Sequence, residues 1–141
     1  MKINPNILRK KVIDMVVAKQ SGHIGGAFSM AELTSVLYED YEIGGKDKLI
    51  LSKGHAVPII YAVLHELGRI TDKELSLFRE IDSPLQGHPD KLRLPEIDAT
   101  TGSLGQGLSI AIGHALGKKL KGEDGKVFCV LGDGEMQEGQ V

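Results

Sequence analysis

The sequence predicts an α/β fold, a parallel sheet flanked by helices, and three observations carry that prediction. Segments of helical period alternate with short apolar runs of strand length at Lys48–Leu51 and 127–131. The second run empties into Gly132-Asp133-Gly134, which reads as the carboxyl end of a buried strand presenting one carboxylate between two residues of unrestricted backbone. Residues 82–102 carry Pro84, Pro89 and Pro95 with no clear period, and a segment of that length reads as a functional loop rather than a passive connection. Ligands of open α/β sheets bind outside the carboxyl ends of the strands, which is where Gly-Asp-Gly falls.

Taken in order, Asn4-Pro5 opens a helix with apolar residues at Leu8, Val12, Met15 and Val16, and Pro5 sits at the first position, where its missing N–H costs nothing. This helix is expected to end near Ser21-Gly22. Ser29-x-x-Glu32 and Thr71-x-x-Glu74 both match the capping box and are read as opening helices over 30–39 and 72–79. Lys48–Leu51 is a short strand. A helix over 56–67 admits Pro58 only in its first turn and stops at Gly68. A glycine-rich entry leads into a last helix over 104–120, and 127–131 is read as a strand internal to a complete parallel sheet and expected at an edge within these 141 residues. No repeat or linker divides the chain, so residues 1–141 are read as one domain unit.

Composition describes an ordinary globular protein. The 141 residues are 41% apolar and 26% charged, with a formal charge of −2, so no basic excess points to nucleic acid. The longest apolar stretch is interrupted by Pro58 and falls far short of the roughly 18 residues of a membrane span. No signal-peptide pattern opens the chain, and a cytoplasmic location is expected. The single cysteine, Cys129, lies in the apolar run and reads as a small core residue.

Three of the five histidines lie beside glycines in non-helical settings: His23 in Gly22-His23-Ile24-Gly25-Gly26, His55 in Lys53-Gly54-His55, and His88 in Gly87-His88-Pro89. Each alone is compatible with a cap or a surface role, whereas several converging on one cleft would suit proton transfer and hydroxyl recognition. His65 and His114 sit within helical segments and read as structural. Thr101-Gly102-Ser103-Leu104-Gly105-Gln106-Gly107 combines small residues with a helix start, which suits either an anion or polar ring edge, or close helix packing; its spacing is not the dinucleotide fingerprint. Asp133 is a candidate metal ligand, because Mg²⁺ is commonly held by one or two carboxylates together with phosphate oxygens.

Taken together, SGHIGGAFSMAEL, LSKGHAVPIIYAVLHELG, QGHP, TTGSLGQGLSIAIGHALG and LGDGEMQEGQV resemble the transketolase family in content and order. These are thiamine-diphosphate enzymes that move two-carbon ketol units from a ketose to an aldose. The resemblance implies a thiamine-diphosphate-binding fold, with residues 1–141 as the N-terminal portion of its diphosphate-binding domain. It implies that Asp133 binds Mg²⁺ (or Ca²⁺), that Gly134 makes the adjacent backbone contact, and that His55 lies near the diphosphate and the reaction centre. His23 and His88 correspond to residues facing the sugar hydroxyls, Gly102 and Leu104 to residues flanking the cofactor rings, and Glu138 to a carboxylate network at the subunit interface.

Ile24 stands where many members have proline, which bears on the shape of that loop. The family's metal site is completed by an asparagine some two to three dozen residues beyond Gly-Asp-Gly, and its pyrimidine-binding domain supplies an activating glutamate. The resemblance therefore implies separate partner chains carrying those parts, an oligomer, and sugar phosphates as substrates. Two other readings stand beside it: a non-catalytic assembly or binding subunit, and a relative of the 1-deoxyxylulose-5-phosphate synthase type.

Overall fold

Two parallel strands, β1 (Lys48–Leu51) and β2 (Val127–Val130), place Lys48 opposite Val127, Leu49 opposite Phe128, Ile50 opposite Cys129 and Leu51 opposite Val130. This computed structural model describes residues 2–141. Side chains alternate across a strand, so Leu49, Leu51, Phe128 and Val130 enter one apolar cluster while Ile50, Val127 and Cys129 enter another. The first cluster is the main core, filled by α1 (Pro5–Lys19), α3 (Ala31–Asp40) and α4 (Pro58–Glu66), with the short α2 (Gly25–Phe28) ahead of α3. The second lies under α6 (Gln106–Lys121), which buries Ala111 there. The order is helix, sheet, helix, as the α/β pattern requires.

The helices form where capping and periodicity placed them, with informative differences at their ends. The Asn4 side chain accepts from the Asn6 N–H at 2.9 Å, and Leu8, Val12, Met15 and Val16 are all buried. α1 stops at Lys19, slightly earlier than expected, because Gln20 turns left-handed at φ 49° and its N–H closes on the Val16 and Val17 carbonyls. The Thr71–Glu74 capping box is complete, with the Thr71 N–H donating to Glu74 at 2.7 Å and the Glu74 N–H to Thr71 Oγ1 at 3.2 Å. The helix it opens, α5 (Asp72–Ser76), is shorter than 72–79. Arg79 adopts φ 61° and its N–H donates to the Leu85 carbonyl, which reverses the chain.

Ser29 is not a cap. An N-cap needs non-helical backbone, whereas Ser29 and Met30 continue in right-handed helical conformation between α2 and α3. The Ser29 hydroxyl donates to the Gly26 carbonyl at 3.0 Å, and Glu32 pairs with Arg9 at 2.6 Å. A 3₁₀ turn over Gly54–Ala56 precedes α4, so the helix expected over 56–67 starts two residues late, at Pro58. α6 likewise begins at Gln106 rather than 104, because Gly105 has φ 82° and cannot lie within the helix.

The loop 82–102 closes the outer flank of β1. Asp98 accepts from the Leu49 N–H at 2.8 Å and pairs with the Lys48 ammonium at 3.0 Å, while the Thr101 hydroxyl donates to the Leu51 carbonyl at 2.5 Å. Side chains thus occupy backbone groups that another strand would use. β2 pairs with β1 alone and its four residues are half-buried, so it lies at an edge of the described sheet.

α6 crosses β1 so closely that a Cβ on Gly107 would lie 2.5 Å from the Ser52 Cα. Gly113, on the same helix, has open space at that position. Gly107→Ala is expected to lower the urea midpoint, a loss of about 1–3 kcal/mol from overpacking. Gly113→Ala should be neutral or stabilising by up to about 1 kcal/mol. Equal midpoints for the two variants would contradict this packing.

Candidate functional site

Parallel strands in register deliver their following loops to the same end of the sheet. β1 is followed by Ser52-Lys53-Gly54-His55 and β2 by Leu131-Gly132-Asp133-Gly134-Glu135, with Gly134–Gln137 forming a 3₁₀ turn. Glu135 joins these loops to the start of α6. Its Oε1 accepts from the Ser52 hydroxyl at 2.5 Å and from the Gly105 N–H at 2.9 Å, and its Oε2 accepts from the Gly132 N–H at 2.9 Å. The residue is 3% exposed. Burial pushes its carboxyl up, but the hydrogen bonds from Ser52, Gly105 and Gly132, with His55 nearby, outweigh this and hold it below the usual carboxylate value.

These loops and α2 enclose an open cleft of about 450 Å³, lined by Gly25, Gly26, Ser29, Lys53, His55, Leu104, Gly132, Asp133, Gly134 and Glu135. Asp133 is exposed and lies at its edge, and nothing crowds the space beside Gly134. The Lys53 ammonium is 3.4 Å from both the Gly26 carbonyl and the Ser29 hydroxyl. Burial pulls its pKa below the ordinary lysine value, against the opposing pull of the Asp133 and Glu135 charges.

The three loop histidines come together. The His23 and His55 rings meet edge-on with centroids 5.0 Å apart, and a Cβ on Gly26 would lie 3.3 Å from His55 Nε2, a tight contact that the imidazole would have to yield to. His88 packs on the backbone of Gly102, where a Cβ would lie 3.3 Å from the ring. His55 is half-buried, while His23 and His88 are exposed. Burial lowers the His55 pKa first, and His23, Lys53 and His88 add to the effect against Glu135. Burial also lowers that of His88, with Arg79 and His23 contributing.

The remaining candidates separate by position. Leu104 faces the cleft and Gly102 lies behind it under His88. Glu138 is exposed, with its Cβ 3.0 Å from where a Cβ on Gly105 would stand. His65 bridges Lys11 at 2.8 Å and Asp72 at 2.7 Å, a structural setting, and His114 lies on α6 away from the cleft. Cys129 is half-buried against the α6 side, and burial, with Glu135, pushes its thiol up to about 11. Sequence reasoning passed over Ser52, Lys53 and Glu135. Glu135 is adjacent to Gly-Asp-Gly and resembles any solvated acid there; only its partners, up to 83 positions away, reveal the burial.

Among the described residues no group of three or more His, Cys, Asp or Glu side chains is arranged to hold a metal ion. Both Glu135 oxygens are engaged within the protein, so Asp133 is the carboxylate left facing the cleft. One carboxylate fits Mg²⁺ when phosphate oxygens and further ligands complete the shell. The glycine-lined walls fit a bulky group with an anionic end, and the residues present accommodate a cofactor of that kind.

His55 is expected to titrate below about 6.5, the ordinary histidine value, and to move up toward it in His23→Gln, both read by NMR of the ring nitrogens. Because the folded pKa is the lower one, the unfolded chain takes the proton first. The contribution of His55 to stability is therefore complete above about 6.5 and is lost as pH falls through the folded pKa. A His55 that titrates at or above the free value would overturn this environment.

A family model described as "Transketolase, thiamine diphosphate binding domain" matches residues 2–141. Mouse "Transketolase-like protein 2" is 44% identical over 96% of the chain, and an apulose-4-phosphate transketolase subunit of Phocaeicola vulgatus is 34% identical over 94%. The chain covers 23% of the former and 50% of the latter. The crystal structure of transketolase from Campylobacter jejuni superposes with a TM-score of 0.89 at 33% identity, over 98% of this chain and 24% of that one. No helix of the described residues is long and apolar enough to cross a membrane. With the parallel strands, the flanking helices and a match running from residue 2 to residue 141, the chain belongs to the transketolase family.

Proposed function

We propose that this chain is the N-terminal portion of the diphosphate-binding domain of a transketolase, transferring two-carbon ketol units from a ketose to an aldose once further polypeptide completes the site. The observation that carries this reading is the convergence of His23, His55 and His88 around one end of a sheet whose other loop presents Asp133. Thiamine diphosphate supplies, when bound, the electron sink for breaking and remaking a carbon–carbon bond. Asp133 would hold Mg²⁺, and the Gly134 backbone and the walls at Gly102 and Leu104 would seat the cofactor. His23 and His88, both exposed and gathered with His55, would bind sugar hydroxyls. His55, with its pKa depressed, is neutral at pH 7 and free to accept a proton or donate one through its other nitrogen.

In the complete assembly, Asp133→Ala is expected to abolish Mg²⁺-dependent binding of thiamine diphosphate in titration calorimetry. His88→Ala should leave that binding near wild type and lower turnover of a sugar phosphate, by up to the roughly 10²–10⁴-fold typical of acid–base groups. Unchanged cofactor affinity in Asp133→Ala would refute the metal assignment.

We also propose that the reaction requires more protein than residues 1–141. Supporting this, the chain spans about a quarter of the transketolase-like relative, and one relative of twice its length is itself described as a subunit. The surface agrees: β2 has a strand neighbour on one side, and α6 exposes Ile112, Leu116 and Leu120. Such an edge and apolar face favour pairing with further polypeptide. Sedimentation at micromolar concentration should show this chain in a complex with a polypeptide that continues the domain, and calorimetry should show that alone it binds thiamine diphosphate no more tightly than micromolar. A monodisperse monomer that binds the cofactor at sub-micromolar concentration would sink the proposal.

A further inference from the structure

Lys53 is a buried lysine that feels the charges of Asp133 and Glu135 across the cleft but makes no ion pair with either. The residue is 9% exposed, and its nitrogen reaches only the Gly26 carbonyl and the Ser29 hydroxyl, both at 3.4 Å, the long limit of a hydrogen bond. Among the described residues no carboxylate oxygen lies within 4.0 Å of it. Glu135 shares the cleft, but its two oxygens already accept from Ser52, Gly105 and Gly132. Charges this far from solvent are ordinarily paired. An ammonium has three donors, and neither neutral acceptor balances its charge.

The setting indicates the chemistry of the missing partner. Lys53 is the only lysine or arginine among the residues lining the cleft. Four of the other residues lining the cleft are glycines, Gly25, Gly26, Gly132 and Gly134, which leave room in it for an anion. Lysine acts on phosphate as a compact point charge that does not demand a fixed bidentate geometry. Its position two residues after β1 fixes the backbone that carries it. Leu51 is locked in the sheet, and Gly54 is pressed against the Thr101 carbonyl, where a Cβ would lie 2.9 Å away.

We propose that Lys53 is the phosphate-binding cation of this cleft, its ammonium donating to a non-bridging oxygen of a diphosphate ester. The inference rests on the reading of the cleft as a cofactor site and adds a residue to it. It separates two duties at the sheet end, with Asp133 serving the metal and Lys53 serving the anion directly. The competing role is a tether from the β1 loop to α2 through Gly26 and Ser29.

The test uses the complete assembled protein with Mg²⁺, titrated with thiamine diphosphate and with unphosphorylated thiamine. Lys53→Met and Lys53→Gln are expected to weaken the diphosphate ester about tenfold to a hundredfold, the range of a charge-assisted hydrogen bond, while leaving thiamine affinity and melting temperature near wild type. Lys53→Gln keeps a donor for Gly26 and Ser29 while removing the charge, and Lys53→Arg should retain most of the affinity. Equal diphosphate affinity in wild type and Lys53→Gln overturns the proposal, as does a parallel loss of both ligands, which marks a tether. Failure of wild type to bind either ligand overturns the cofactor reading itself and this inference with it.

Discussion

Glu135 holds three separate parts of the chain with two oxygens, and the cleft depends on that junction. Ser52 follows β1, Gly132 follows β2, and Gly105 is the residue before α6, so a single carboxylate fixes the strand ends and the helix start relative to one another. Hydrogen bonds to a charged acceptor contribute about 1.5–3 kcal/mol each, and removing the acceptor would leave buried backbone N–H groups unsatisfied. The cost of dehydrating the charge is offset only because all three donors converge. Gly107 completes the junction by letting α6 approach the Ser52 backbone, a contact no larger residue permits.

The loop carrying His88 is placed by a second set of polar anchors, independent of the first. Asp98 and Thr101 occupy the Leu49 N–H and the Leu51 carbonyl on the outer flank of β1, and the Thr101 N–H returns to the Pro89 carbonyl at 3.3 Å. From the core side, the Tyr61 hydroxyl donates to the Gln86 carbonyl at 2.9 Å, and burial pushes that hydroxyl far above its ordinary pKa. A proline-rich segment without regular structure is thereby fixed on both sides of His88. Gly102, packed beside it, leaves the ring space to sit close to the backbone.

What the sequence discloses follows the range of the interactions responsible. Local signals are sound where the governing contacts are local: Asn4 caps α1, Thr71 and Glu74 close their box, and Gly68 takes a left-handed conformation just after the end of α4. The Ser29-x-x-Glu32 pattern misled because a capping motif says nothing about what precedes it, and here α2 already holds the backbone helical. The convergence of His23, His55 and His88 was readable only as a possibility, since their meeting depends on packing among α2, β1 and the loop 82–102. Glu135 and Lys53 were invisible for the same reason. Their burial is created by segments tens of residues away, whereas Glu138, which the motif singles out, is exposed.

The electrostatics of the cleft divide the work between charged and neutral groups. Burial and neighbouring cations keep the His55 and His88 pKa values down, so near neutral pH these rings offer one donor and one acceptor each instead of adding positive charge. A neutral imidazole suits hydroxyl groups, which also both donate and accept. Fixed charge is left to a few groups: Lys53 as the cation, Asp133 as the exposed carboxylate facing the cleft, and Glu135 already committed to the protein.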